Sequence, residues 1–195
     1  MKTQLVMLNE NTEIKVTEDT QFVLQFPSVA QGAKYSLNLI FEKQGVSGEI
    51  LCAYALTAGQ ELNLTTLSTH KAPNTSCLTQ IKGALYTGSK SNYTGKIIIE
   101  KPAQQTTAFL DQAVLVLGED TNNISQPILE IEADDVKASH GSTTGRVNED
   151  QVYYLMSRCL SRDESQAIIV EGFFESLINK IEDTSVAAVA RSAIR

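Results

Sequence analysis

The sequence predicts a mainly β fold followed by a small helical unit, on three observations. Short runs of alternating apolar and polar residues fill residues 4–140, cut by Gly32, Gly45, Gly48, Gly59, Gly88, Gly95 and Gly118. No convincing amphipathic helical pattern appears before about residue 147, so the crossover helices of a doubly wound α/β fold are missing. Many strand faces carry Thr, Ser, Asn and Gln rather than alternating charge, which favours a β-solenoid, where inward small polar residues of stacked coils form ladders. No strict repeat marks the coils, and a sandwich fits the periodicity alone equally well.

The elements follow in order. Phe22, Leu24 and Phe26 share one strand face; Tyr35, Leu37, Leu39 and Phe41 share another. Ile50, Cys52, Tyr54 and Leu56 alternate in the same way, then Leu62 and Leu64. Further runs are 75–85, 96–100, 106–117 and 127–131. Residues 134–146 read as a small-residue loop carrying His140. This places a β-domain over residues 1–146 and a helical subdomain over 147–195. Asn148 caps a helix with Val152, Leu155, Met156 and Cys159 at helical spacing. Ser161 to Glu164 is a capping box opening a second helix, whose apolar face holds Ala167, Ile168, Phe174, Leu177, Ile178 and Ile181. The segment 183–195 reads as a third helix or a tail.

Bulk composition narrows the function. With 42% hydrophobic and 20% charged residues, the 195-residue chain is ordinary globular material, long enough for a core without disulfides or metals. A net charge of −7 disfavours nucleic acid as main partner, because backbone binding needs Lys and Arg to displace counterions. No apolar run approaches the roughly 20 residues that span a bilayer, and the N-terminus lacks a signal peptide's apolar stretch, so a cytoplasmic protein is expected. Cys52, Cys77 and Cys159 form no CxxC pair, which argues against a zinc ribbon or thioredoxin-type site. Ser139 and His140 are adjacent and no G-x-S-x-G elbow exists, so a hydrolase triad is disfavoured; no P-loop occurs.

The stretch Asp134-Asp135-Val136-Lys137-Ala138-Ser139-His140-Gly141, with Gly145-Arg146 and Asp150-Gln151-Val152-Tyr153-Tyr154-Leu155-Met156-Ser157-Arg158, closely resembles the C-terminal signature of the SufB/SufD family. His70-Lys71-Ala72-Pro73-Asn74-Thr75-Ser76 resembles an upstream segment of the same family, and the resemblance covers roughly residues 65–180. It implies a right-handed parallel β-helix with a C-terminal helical subdomain, in a non-catalytic scaffold of the SUF iron–sulfur assembly machinery. It further implies a SufC-type ABC ATPase docked on the helices; Tyr153, Tyr154, Met156, Phe173 and Phe174, at helical spacing, read by default as core, and those left exposed as its docking residues. A SufB-like or second SufD-like subunit would pair through the β-helix, with no cofactor stably bound and a transient cluster at that interface. His140 matches the SufD-type histidine, a ligand for iron or for the cluster site; the bland alternative is a loop histidine bonded to local backbone. Gln112 falls where a SufB-type subunit carries cysteine, which implies either a heteromeric partner or another ligand.

The remaining residues have plainer readings. Asp134 and Asp135 are turn carboxylates, Cys52 and Cys77 core thiols, and His70 part of a structural corner set by Pro73 and Asn74. Cys159 stands where the family usually has a glycine between the two helices, so either the turn has a different geometry or the thiol is used, and altered geometry is the favoured reading. Two other functions stay open: a carbohydrate-active or carbohydrate-binding β-solenoid, and an ATPase-regulating interaction module without a cluster. The absence of Trp weighs against the first, since such sites expose rows of aromatics.

Overall fold

The computed structural model describes residues 1–29 and 32–194. Alternating apolar runs become strands in chain order: β1 (Lys2–Met7), β2 (Thr12–Lys15), β3 (Thr20–Gln25), β4 (Ala33–Phe41), β5 (Ser47–Leu56), β6 (Glu61–His70), β7 (Ser76–Leu85), β8 (Lys90–Ile99), β9 (Thr106–Val116), β10 (Asn122–Ile131) and β11 (Val136–Arg146). Odd strands form one sheet, β1-β3-β5-β7-β9-β11, and even strands the other, β10-β8-β6-β4-β2. Every pairing within the two sheets is parallel. Successive strands swap sheets, so the chain winds as a β-solenoid of about five coils. Cross-coil contacts span 28 residues at Gln21–Glu49, 29 at Ser47–Ser76 and 31 at Thr75–Thr106.

Each strand turns alternate residues into the solenoid. Phe22, Leu24, Leu37, Leu39, Phe41, Ile50, Cys52, Tyr54 and Leu56 all lie in the inner core, as their alternation predicts. Two close approaches explain two strand glycines. A Cβ on Gly83 would sit 2.5 Å from the Tyr54 ring, and one on Gly95 would sit 2.3 Å from Leu110 Cδ1. The tyrosines are deeply buried, yet their hydroxyls are satisfied: Tyr54 by Ser91 at 2.8 Å and Tyr93 by Thr66 at 2.6 Å. The asparagine ladder, Asn92 Nδ2 donating to Asn63 Oδ1 at 2.9 Å, runs on the outer face of the even sheet rather than inside. Asn63 Nδ2 donates in turn to the Ala33 carbonyl at 3.3 Å, and on this face solvent is within reach of groups that a dry interior would strand.

Several strands exceed their sequence signal. β8 starts at Lys90 instead of 96, and β10 at Asn122 instead of 127. His140, expected in a loop, sits in the middle of β11. The helices are α1 (Glu149–Met156), α2 (Arg162–Ile178) and α3 (Thr184–Ser192). Asn148 caps α1, Ser161 and Glu164 complete the capping box of α2, and Asp183 accepts from Ser185 and Val186 to cap α3, which makes 184–192 a helix and not a tail. A second apolar core joins Phe174, Leu177, Ile178, Ile181, Ala187 and Ala190 to Val23, Leu51, Ala53 and Ala84 on the outer face of the odd sheet. Each large side chain buried there contributes about 1.5–3 kcal/mol of transfer free energy. α1 packs on α2 instead of on the sheets. No helix of the described residues is long and apolar enough to cross a membrane.

Candidate functional site

β10 and β11 close the last coil, and each is the edge of its sheet. In register, His140 stands on Leu110, then Thr79, Ile50 and Phe22, all residues buried in the interior. His140 thus continues an inward column, but no further coil covers it, and the imidazole is exposed. Its ring makes no hydrogen bond among the described residues. The local-backbone alternative therefore loses its contacts.

The backbone of β11 is equally open. β9 bonds β7 through Thr107 N to Thr75 O at one end and Leu117 N to Leu85 O at the other, so its odd residues turn to β7 and its even ones to β11. In a parallel ladder the even residues of β9 bond the odd residues of β11. The N–H and C=O groups of Ala138, His140, Ser142 and Thr144 consequently face away from the sheet. β10 differs. Asn122 N and Glu132 N bond β8, which turns the odd residues outward, and Pro127 among them has no N–H to offer. Ile124, Ile128 and Ile131 are exposed at the same end of the solenoid.

Gln112 lies beneath this end, fully buried. Its Oε1 accepts from Ser142 Oγ at 3.3 Å, Ser142 Oγ in turn accepts from Ser125 Oγ at 2.8 Å, and Asn123 Nδ2 donates to Thr144 at 2.8 Å. Asp135 lies in the bend before β11; its N–H bonds Gln104 and its carbonyl accepts from Gln105 N, so its backbone fixes the turn. No cluster of three or more His, Cys, Asp or Glu capable of holding a metal occurs among the described residues.

Cys52 and Cys77 cannot serve this end as thiolates. Cys52 and Cys77 are buried in the core, and desolvation pushes the Cys77 thiol up to about 12 and Cys52 higher still. Cys159 corrects the sequence expectation: it adopts φ +68° in the turn between α1 and α2, so the left-handed geometry normal for glycine is kept. The turn joins two capped helices, and the side chain is exposed. His70 is buried at the end of β6, stacked on Phe41 with ring centroids 4.4 Å apart, and its Nδ1 bonds Thr75 at 2.8 Å. Its Nε2 has no partner, and burial lowers its pKa to about 4. Asn74, at φ +56°, makes the corner that follows.

The helices sort the aromatic residues. Tyr153 is 76% exposed and Tyr154 58%, with Met156 and Ile168 also exposed. With Leu155 and Ile169, Tyr154 and Ile168 line a groove of about 490 Å³ between α1 and α2. Phe174 is corrected from docking residue to core: it is 1% exposed, packed on the outer face of the odd sheet. Phe173 is half-buried beneath Lys82, whose Nζ lies 4.3 Å from the ring centroid and donates to the Phe173 carbonyl at 2.6 Å. The sequence pattern placed Ile168 on the buried face of α2; it is exposed because only the C-terminal half of α2 reaches the sheet.

Residues 4–173 match the family described as SUF system FeS cluster assembly, SufBD core domain. The chain is 33% identical over 156 residues, 76% of its length, to an iron-sulfur cluster assembly SufBD family protein of Mycobacterium leprae. It is 34% identical over 99 residues, 51% of its length, to the iron-sulfur cluster assembly protein SufD of Bacillus subtilis, and 28% identical over 144 residues, 74% of its length, to a SufBD family protein of Staphylococcus epidermidis. The matched parts cover 40%, 23% and 31% of those proteins, so the chain spans well under half of each. A match over most of the chain, together with the parallel solenoid and its helical end, makes this chain a member of the SufBD family.

Proposed function

We propose that this chain is a non-catalytic scaffold subunit for iron–sulfur cluster assembly. The reading rests chiefly on one observation: an exposed, unpartnered imidazole on a strand whose outer edge is open, at the uncovered end of the solenoid. A second SufB- or SufD-type subunit pairs through the β11 edge, where free N–H and C=O groups accept an added strand. His140 then becomes a ligand for iron or for the growing cluster, which is the cargo of the assembly and not a resident cofactor. The partner supplies the thiolate, because Gln112 replaces the cysteine and Cys52 and Cys77 are protonated in the core. A SufC-type ABC ATPase docks on the α1–α2 groove and exposed Tyr153, Tyr154 and Met156. α1 follows β11 after only Val147 and Asn148, so motion at the helices is delivered directly to the strand bearing His140.

The buried Gln112 favours a second reading, an interaction module that binds the ATPase without touching a cluster. Co-expression of the chain with the SUF-type ATPase and the SufB-like subunit of the same organism tests the scaffold. A complex stable at micromolar concentration is expected. Failure to co-purify either protein removes the scaffold reading, and co-purification of the ATPase alone favours the module.

A further inference from the structure

We propose that Gly172 is the floor of a hole in the α1–α2 groove, kept bare so that an apolar side chain from a partner helix can rest against the α2 backbone. The inference deepens the docking reading above and rests on it. Gly172 lies in the interior of α2, where glycine is the costliest residue after proline because it has the most backbone freedom to lose. Nothing inside the chain requires it. A Cβ at this position meets no heavy atom within 4 Å, and no left-handed φ calls for a glycine. Gly83 and Gly95, by contrast, are forced by the side chains packed over them, Tyr54 on the first and Leu110 with Tyr93 on the second. A position that would accept alanine with a gain in helix stability, yet carries glycine, points to something outside the chain that needs the space.

The surroundings fit that use. Gly172 lines the groove with Ile168, Ile169, Tyr154 and Leu155, so a bare patch of backbone is walled by apolar side chains. This is the hole that a knob from a crossing helix fills when helices approach closely. Asp150 is the charged residue lining the groove and forms no salt bridge among the described residues, whereas Glu149 beside it is held by Arg162 at 2.7 Å. The occupant is therefore a partner helix with an apolar knob and a Lys or Arg about one turn away, positioned to meet Asp150.

The probe is the purified SUF-type ABC ATPase subunit of the same organism, titrated against the full chain and its Gly172→Ala and Gly172→Leu variants by calorimetry. Gly172→Ala raises Tm by about 2–4 °C, which separates lost binding from lost folding. Its Kd rises about tenfold, and that of Gly172→Leu about a hundredfold, as the hole fills. Both variants binding like the wild-type chain overturns the inference while leaving the docking reading intact. A wild-type chain that does not bind removes the docking reading and this inference with it.

Discussion

The pH dependence of stability should be set in part by His70. The ring is buried, stacked on Phe41, with Nδ1 engaged by Thr75 and Nε2 unpartnered. No nearby carboxylate compensates a positive charge, and burial alone lowers the folded-state pKa to about 4. The unfolded value is about 6.5. As pH falls, the unfolded chain binds this proton first, so stability present above about pH 6.5 is lost progressively toward pH 4. The complete loss is about 3 kcal/mol, at 1.36 kcal/mol for each unit of pKa difference. Urea unfolding of the wild-type chain and of His70→Leu, at about pH 7.5 and about pH 5, isolates the effect. Other titrating groups are common to both proteins and cancel. The wild-type chain should lose about 2 kcal/mol more than the variant over that interval. Equal losses within about 0.5 kcal/mol would refute the reasoning, since the ring would then be hydrated or partnered in the folded state.

Three further outcomes follow from packing and edge geometry. Phe174→Ala should cost about 3–5 kcal/mol by urea unfolding, because the side chain anchors α2 on the outer face of the odd sheet; a cost below about 1 kcal/mol would return Phe174 to the surface. Gly95→Ala should destabilise by about 1–3 kcal/mol through collision with Leu110 and Tyr93, while Gly145→Ala, where an added Cβ meets nothing within 4 Å, should stay within about 0.5 kcal/mol; equal effects would contradict the packing. Ser142→Pro removes an N–H that faces the free edge of β11, so it should leave the far-UV spectrum of the chain intact yet abolish pairing with the SufB-like subunit in size-exclusion chromatography; unchanged pairing would exclude this edge.

Legibility in the sequence followed burial on one face. Phe22 and Leu24, and the run from Ile50 to Leu56, are plain because the inward positions form an unbroken apolar set; Val23, Leu51 and Ala53 facing outward are apolar as well, because the helices cover them. β8 and β10 were read short because Ser91, Asn123 and Ser125 occupy inward positions and break the alternation. β11 gives a loop pattern for a related reason: no coil lies over it, so its inner face starts with Val136 and Ala138 but continues with His140, Ser142 and Thr144, and the apolar alternation is lost. The coil repeat left no period because the connections vary in length, from a spacing of 28 residues to one of 31. Helical spacing could not divide Phe173 from Phe174, since which neighbour is buried depends on where the odd sheet lies. Cys159 shows the opposite failure, where local preference against a left-handed cysteine was overruled by the turn that two capped helices require. The family signature carried His140 and the α1 aromatics as a unit; it could not reveal that the imidazole extends an inward column or that β11 is open along its outer edge.

Anaerobic iron and sulfide content of the co-purified complex, measured for the wild-type chain and for His140→Ala, tests the central claim most directly. An intact complex is expected, with loading at least about tenfold lower in the variant and partial return in His140→Cys, where a thiolate replaces the imidazole. Unchanged iron and sulfide in His140→Ala would contradict it and leave the chain as a binding module for the ATPase.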